Sequence, residues 1–151
     1  MKSEKYTIHT EEDMNTFGAS LAEKLSGGDI VLLNGNLGAG KTTIAKGIAK
    51  GLGITEIITS PTFTYMQVYP VNNKQKGITQ LTHIDTYRAE NQQALENIGI
   101  AEFLFDKETV SIVEWPEKIY ELVQDKPYIE ISIQHTNENS REVTITQNKK
   151  K

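Results

Sequence analysis

Two kinds of hydrophobic spacing alternate along the chain. Apolar residues recur every three or four positions from Met14 to Leu25 and again from Ile44 to Leu52, which predicts two helices that each bury one face. Between and after them lie short runs rich in β-branched and aromatic residues, which are typical of strands. The predicted strands cover residues 6–9, 30–33, 63–69, 78–84, 110–113, 128–135 and 142–146.

Glycines and polar stretches mark where these elements end. The glycine pair at residues 27–28 is expected to end the first helix, and Gly53 to end the second in a left-handed conformation. Gly99 should divide a later helical region into two short helices. The polar stretches at residues 70–77 and 137–140 should be turns, so that the strands on either side of each form antiparallel hairpins.

The first chemical signal follows the strand at residues 30–33, where apolar residues give way to glycines, a lysine and two threonines. This segment fits the P-loop pattern G-x-x-x-x-G-K-[ST]. In that pattern the glycines let backbone N–H groups curl around phosphate oxygens, Lys41 supplies a point charge, and the Thr42 hydroxyl can bind Mg²⁺. The predicted nucleotide-binding residues here are Gly35, Leu37, Gly38, Ala39, Gly40, Lys41, Thr42 and Thr43.

Two later strands end in acidic residues. Asp85 follows the strand at residues 78–84, and Glu114 follows the strand at residues 110–113. An apolar strand that ends in an acid is the Walker B arrangement, in which the carboxylate holds Mg²⁺ directly or through water. Trp115 would then lie beside the nucleotide. Which of the two carboxylates contacts the ion stays open at this point.

A further candidate is the segment Ser-Pro-Thr-Phe at residues 60–63, where a proline stiffens a stretch that carries two hydroxyls. Thr62 in such a segment can sense the γ-phosphate and its Mg²⁺, as switch residues do. The alternative is an ordinary turn.

Composition narrows the class of protein. The chain has 151 residues, no cysteine and a net charge of -4, and we expect one domain over residues 1–148 with a disordered basic tail at 149–151. An acidic surface would not by itself hold nucleic acid tightly. No apolar stretch approaches the ~20 residues of a membrane span, and no signal peptide is apparent, so we expect a cytoplasmic protein with no membrane partner.

The rest of the sequence indicates which nucleotide the P-loop binds and which reaction it serves. The chain lacks the Asn-Lys-x-Asp motif that reads guanine, so ATP and ADP are favoured, with Mg²⁺. It has only two arginines, Arg88 and Arg141, whereas small-molecule kinases generally clamp the transferred phosphate with several. The scarcity of arginine favours a slow ATPase that depends on a partner. A small-molecule kinase and a nucleotide-dependent scaffold are the alternatives.

Four segments together resemble the TsaE (YjeE) family, the bacterial P-loop ATPases of tRNA threonylcarbamoyladenosine biosynthesis. They are the P-loop at residues 35–43, Ser-Pro-Thr-Phe at 60–63, His-Ile-Asp-Thr-Tyr-Arg at 83–88 and Val-Glu-Trp-Pro at 113–116. They occur in the family's order, and the resemblance covers nearly the whole chain.

This resemblance implies an α/β fold, a single P-loop NTPase-like domain with a mixed parallel and antiparallel sheet flanked by helices. It implies that Thr42 and Glu114 hold Mg²⁺, that Asp85 matters for hydrolysis and that Thr62 is the switch residue. It also implies that adenine lies between Thr10 and Arg141. The predicted catalytic residues are therefore Lys41, Thr62, Asp85 and Glu114.

The resemblance further implies partners. Such ATPases work with two companion proteins, of the TsaB and TsaD types, and meet tRNA indirectly through them. ATP hydrolysis would reset that complex between turnovers.

Overall fold

The strands and helices alternate along most of the chain. The computed structural model describes residues 2–36, 40–59, 65–137 and 140–148. Its strands are β1 (Lys2–Ile8), β2 (Ile30–Gly35), β3 (Met66–Gln75), β4 (Ile78–Asp85), β5 (Thr109–Glu114), β6 (Tyr128–Asn137) and β7 (Ser140–Asn148). Its helices are α1 (Glu11–Ala22), α2 (Lys41–Gly51), α3 (Gln92–Asn97), α4 (Ile100–Leu104) and α5 (Tyr120–Val123), with a 3-10 turn at Pro116–Lys118.

All of these strands join one sheet in the order β1-β7-β6-β2-β5-β4-β3. The four central strands, β6, β2, β5 and β4, are parallel to one another. Antiparallel strands extend the sheet on both sides, β7 and β1 beyond β6 and β3 beyond β4. The predicted α/β class with a mixed sheet is therefore confirmed.

Helices cover both faces of the sheet and form two hydrophobic cores. One core lies between the sheet and the helices α1 and α2, and the other lies beneath α3, α4 and α5. The central strands β2 and β5 contribute to both cores, which explains their unbroken apolar runs. The first core includes Leu33, Ile44, Ile48, Leu81, Ile112 and Ile131, and the second includes Leu32, Ile84, Leu95, Ile100, Val113 and Ile119.

Helix α1 packs unusually closely against α2, through glycine rather than through large side chains. A Cβ atom on Gly18 would lie 2.6 Å from the carbonyl oxygen of Ile44, and one on Gly47 would lie 2.2 Å from that of Asn15. Real Cβ atoms do not approach oxygen so closely, so the two backbones can touch only because these positions are glycine. This contact sets the position of α2, and with it the start of the helix at Lys41.

The predicted end of α1 is wrong. The helix ends at Ala22, so the glycines at residues 27–28 do not cap it. Instead Gly27 lets two other segments approach, because a Cβ there would lie 2.4 Å from the carbonyl oxygen of Lys107 and 2.5 Å from that of Gly77. Sequence spacing cannot show such an approach, since both partners lie far along the chain.

The other predicted helix ends and turns are largely confirmed. Gly53 follows α2 with φ +81°, and the N–H of Ile54 donates to the carbonyl of Ala49, as in a Schellman motif. Gly99 separates α3 from α4. The turn predicted at residues 70–77 is shorter, because β3 continues irregularly to Gln75 before pairing with Ile78.

Some predictions fall outside the described residues and stay predictions. These are the switch residue Thr62, the loop residues Leu37, Gly38 and Ala39, and the tail at residues 149–151. Within the described ranges, no helix is long and apolar enough to cross a membrane.

Replacing Gly47 by alanine should destabilise the protein. The added methyl group meets the Asn15 carbonyl at 2.2 Å, and overpacking of this kind costs up to about 3 kcal/mol. Alanine regains about 1 kcal/mol through helix propensity, so we expect a net loss of about 1–2 kcal/mol in the free energy of unfolding. Chemical denaturation measures this change.

Lys46→Ala is the matched control, because Lys46 is exposed on the same helix. It should alter the free energy of unfolding by less than about 0.5 kcal/mol. If Gly47→Ala were as stable as the control, the close helix contact would be contradicted.

Candidate nucleotide site

The predicted P-loop and both predicted acids meet at one edge of the sheet. Strands β2, β5 and β4 are parallel, and their carboxyl ends carry Gly35, Glu114 and Asp85. Glu114 pairs in register with Leu33 on one side and with Asp85 on the other. In open α/β sheets this edge, at the carboxyl ends of the strands, is where ligands bind.

The two acids also share a face of the sheet with the P-loop helix. Leu81 and Ile112 belong to the core beneath α1 and α2. Because side chains alternate along a strand, Asp85 and Glu114, an even number of positions further on, belong to that same face. Lys41, the first residue of α2, lies on this face too, because α2 packs against the same core and the charges of Glu114 and Asp85 act on its ammonium. Residues more than 70 positions apart in sequence therefore form one cluster.

Lys41 lies at the centre of this cluster and is only 5% exposed. Its Nζ atom donates a hydrogen bond to the carbonyl oxygen of Gly35 at 2.5 Å and lies 3.4 Å from the ring centroid of Trp115. Burial lowers the pKa of Lys41, whereas the charges of Glu114 and Asp85 oppose that shift. The ammonium is thus held by a carbonyl, an aromatic face and two nearby acids.

Trp115 is held in an uncommon backbone conformation, with φ 60° and ψ 60°. Bulky residues rarely adopt this left-handed region, and where they do the surrounding contacts must stabilise it. The N–H of Trp115 donates to the carbonyl of Leu33 at 3.3 Å, and the Thr86 hydroxyl donates to the Trp115 carbonyl. The ring packs against Tyr87, with centroids 4.8 Å apart. These contacts fix the indole over the ammonium of Lys41.

Glu114 is almost completely buried and is paired with His83. The Nε2 atom of His83 lies 2.6 Å from Oε2 of Glu114. Nδ1 of His83 is buried and has no hydrogen-bond partner among the described residues. A proton on Nδ1 would be an unpaired buried donor, so the geometry favours the tautomer that carries its proton on Nε2.

Asp85 is half-buried at the end of β4. The backbone N–H of Tyr87 donates to its Oδ1 atom at 3.0 Å, and its own N–H donates to the carbonyl of Tyr65 at 2.9 Å. Burial raises the pKa of Asp85, and the hydrogen bond from Tyr87 partly opposes this. Tyr65 lies two positions after the predicted switch segment, which itself falls outside the described residues.

A second polar cluster lies on the opposite face, beneath the start of the loop. The Asn34 amide donates to the Tyr120 hydroxyl at 3.1 Å and also to the Glu130 carboxylate, to which the Tyr120 hydroxyl donates as well. Burial and the hydrogen bond to Glu130 raise the pKa of Tyr120. Asn34 directly precedes Gly35, so these bonds fix the end of β2 from which the loop departs.

The two residues predicted at the adenine lie further along the same edge. Thr10 caps α1, with its Oγ1 atom accepting a hydrogen bond from the N–H of Asp13 at 2.9 Å, and Arg141 is the second residue of β7. Ile8 pairs with Arg141, and Nδ1 of His9 lies 3.1 Å from the Ser140 hydroxyl. The structure therefore brings the start of α1 and the start of β7 together. Their contact with adenine stays a prediction.

The structure also shows site residues that the sequence analysis missed. His83 carries a signal that could have identified it, because it stands two positions before Asp85 and so shares its face. Thr86 and Asn34 have no such signal, since their roles depend on which strands are neighbours. Of the predicted residues, the structure brings Gly35, Gly40, Lys41, Thr42, Thr43, Asp85, Glu114 and Trp115 to one end of the fold.

This arrangement defines a class of protein. A strand leading into a glycine-rich loop, a lysine at the start of the next helix and an acid at the end of the neighbouring parallel strand are the features of a P-loop NTPase-like α/β protein.

Comparison with known proteins identifies the family. The family model described as "Threonylcarbamoyl adenosine biosynthesis protein TsaE" matches residues 8–143. The chain is 38% identical over 147 residues to the Bacillus subtilis "tRNA threonylcarbamoyladenosine biosynthesis protein TsaE", covering 97% of this chain and 87% of that protein. It is 37% identical over 144 residues to the protein of that name from Nostoc, covering 94% and 85%.

A solved structure agrees with the sequence comparisons. The crystal structure of Bacillus subtilis YdiB superposes with a TM-score of 0.77 at 32% identity, covering 97% of this chain and 86% of that one. The chain belongs to the TsaE family, as its four motifs predicted.

Replacing one partner of the His83–Glu114 pair should lower the free energy of unfolding more than replacing both. His83→Leu leaves the Glu114 carboxylate buried without its partner, and such a change costs about 3–5 kcal/mol. The double variant His83→Leu/Glu114→Leu removes both polar groups, and we expect it to recover most of that loss. Chemical denaturation of the single and double variants at pH 7 measures the coupling. Additive losses would contradict a direct buried pair.

Asp85→Asn should raise the melting temperature at neutral pH. Since the pKa of Asp85 is raised above 3.8 in the folded state, its ionised form destabilises the fold once the pH exceeds that value. Asparagine keeps the acceptor for Tyr87 and removes this cost. After allowance for solvent screening of a half-buried group, we expect a gain of a few degrees at pH 7 that disappears toward pH 4.

Asp125→Asn provides the control for that series, because Asp125 is exposed. Its melting temperature should follow that of the unmodified protein at every pH. A gain in Asp85→Asn that did not depend on pH would contradict the assigned cause.

Proposed function

We propose that this protein is a Mg²⁺-dependent ATPase that acts in the biosynthesis of threonylcarbamoyladenosine in tRNA. The convergence of Lys41, Asp85 and Glu114 on one face at the carboxyl ends of β2, β4 and β5 carries the proposal. Membership of the TsaE family, whose relatives are named for this biosynthesis, supports the pathway.

Lys41 and the loop amides would bind the phosphates. The Lys41 ammonium lies at the start of α2, where a helix favours an anion. A triphosphate would replace the Gly35 carbonyl as its acceptor. The residues proposed for the nucleotide are Gly35, Leu37, Gly38, Ala39, Gly40, Lys41, Thr42, Thr43 and Trp115, with Thr10 and Arg141 at the adenine.

The residues at this edge fit a magnesium ion. Mg²⁺ prefers oxygen ligands and is usually held by one or two side chains together with substrate phosphates. Thr42 and Glu114 would supply those ligands, since Thr42 lies in the first turn of α2 and Glu114 ends the strand next to β2. When bound, the ion neutralises charge that develops on the phosphates.

Asp85 would position the attacking water. It stands beside Glu114 in register, and the Tyr87 N–H fixes one of its carboxylate oxygens. Its raised pKa makes it a better acceptor for the water proton than an exposed aspartate. Thr62 would report the γ-phosphate as the switch residue.

Hydrolysis is proposed to be slow in the isolated protein. Neither arginine is among the residues that contact Lys41, Asp85 or Glu114 in the described part of the chain. An arginine supplied in trans accelerates such reactions about 10³- to 10⁵-fold. We propose that companion proteins of the TsaB and TsaD types activate hydrolysis in the cytoplasm, that they carry the tRNA, and that hydrolysis resets their complex between turnovers.

The test is phosphate release by the protein alone and then with both companions and tRNA. We expect slow release alone and strong stimulation by the complete mixture. Lys41→Ala should lower the stimulated rate about 10²- to 10³-fold, because it removes the charge that faces the phosphates. Lys46→Ala, on the exposed side of the same helix, should keep the full rate.

The outcomes separate the alternatives. Phosphate transferred to an added acceptor rather than to water would indicate a small-molecule kinase. A nucleotide-dependent scaffold would change its affinity for the companions with ATP, and its Asp85→Ala variant would keep full activity in tRNA modification. Fast hydrolysis by the isolated protein would contradict dependence on a partner.

A further inference from the structure

Lys118 makes an unusual set of contacts next to the candidate site. It ends the 3-10 turn that follows Trp115, and its Nζ atom donates to three backbone carbonyls of the loop after β4. The distances are 3.1 Å to the oxygen of Thr86 and 3.3 Å to that of Tyr87, and the third acceptor is the oxygen of Ala89. We call these three carbonyls with Nζ the carbonyl clamp.

The carbonyl clamp matches the chemistry of an ammonium group. Lysine has three N–H donors on one compact charge and no acceptor, so three carbonyls that converge on Nζ satisfy it completely. Convergent backbone carbonyls also coordinate potassium ions in proteins. Lys118 therefore occupies a position that a monovalent cation of similar size can fill.

The loop that Lys118 holds carries several contacts of the site. The N–H of Tyr87 donates to Asp85, and the Tyr87 ring packs on Trp115, whose own ring covers the Lys41 ammonium. The Thr86 side chain is fully buried, and its hydroxyl donates to the carbonyl of Trp115. The loop thus contacts both strand ends that bear the acids.

We propose that Lys118 is a positioning residue that serves as a built-in monovalent cation. It holds the loop at residues 86–89 in place. Tyr87 can then contact Asp85 through its N–H and Trp115 through its ring. Its removal leaves a cation site that ammonium or potassium can occupy. The consequence for hydrolysis rests on the proposed ATPase function, whereas the consequence for the loop does not.

The emission of Trp115 tests the carbonyl clamp without any nucleotide. Trp115 is the single tryptophan of the chain, so its emission reports this loop directly. We expect Lys118→Ala to shift the emission to longer wavelength, because Tyr87 no longer shields the indole. Ammonium chloride or potassium chloride should reverse the shift, and choline chloride at the same ionic strength should not.

Two further variants make this test specific. Lys118→Met fills the space of the side chain without a charge, so it should show the shift and resist rescue by either cation. Lys126→Ala removes an equal charge from a lysine that lies over the Phe105 ring, and it should leave the emission unchanged. If choline restored Lys118→Ala as well as ammonium does, or if no salt restored it, the cation role would be overturned.

Hydrolysis measured with the companion proteins and tRNA gives the second readout. We expect Lys118→Ala to lower kcat about tenfold, as the loss of a residue that orients catalytic groups does. The KM for ATP should change less than about twofold, because ground-state binding is retained. Ammonium should restore kcat in Lys118→Ala and not in Lys118→Met.

The emission and the hydrolysis measurements test different proposals, so either proposal can be wrong without the other. If the unmodified protein released no phosphate under any condition, the proposed ATPase function would be wrong, and the emission series would still decide the carbonyl clamp. If hydrolysis were normal in Lys118→Ala, or if the emission did not shift, the positioning role of Lys118 would be overturned while the ATPase function stood.

Discussion

Taking the Lys41 ammonium out of water costs free energy, and the neighbouring residues are arranged to offset that cost. The Gly35 carbonyl accepts a hydrogen bond from it, the indole of Trp115 presents its electron-rich face, and the charges of Glu114 and Asp85 favour the protonated form. These partners come from three strand ends: the carbonyl from β2, Trp115 and Glu114 from β5, and Asp85 from β4. The position of one buried charge therefore depends on the register of three parallel strands, and an error of one residue in any strand would reverse the face of its side chain.

Glu114 and Asp85 are negatively charged groups that also lose water, and different contacts offset that loss for each of them. Glu114 is buried, and a hydrogen bond from His83 replaces part of the water that it has lost. Asp85 keeps some access to solvent and accepts a hydrogen bond from the backbone N–H of Tyr87, and burial raises its pKa. Two carboxylates in register thus have unequal surroundings. Unequal environments are how proteins give two similar acids different tasks.

Much of the fold was predictable because it depends on local patterns. The two long helices, the hairpins and the break at Gly99 follow from spacing and from glycine, which act within a few residues. The prediction failed at residues 27–28, where glycines that read as a helix end instead allow the chain at Gly77 and Lys107 to approach. A glycine in the sequence can mark the end of a helix or a place where two segments approach closely. Only the tertiary structure distinguishes the two.

The sequence by itself determined the P-loop motif, the two acids at strand ends and the four motifs that identify the TsaE family. Those features are contiguous in the chain, so the residue types and their spacing suffice to find them. The tertiary structure alone decided which groups surround them. His83 meets Glu114 across 31 positions, and Lys118 meets Thr86 across 32. Periodicity tells which face of a strand a residue occupies, but the neighbour of that strand depends on how the whole sheet is ordered. That order is set by the packing of helices on both faces, which no local pattern contains.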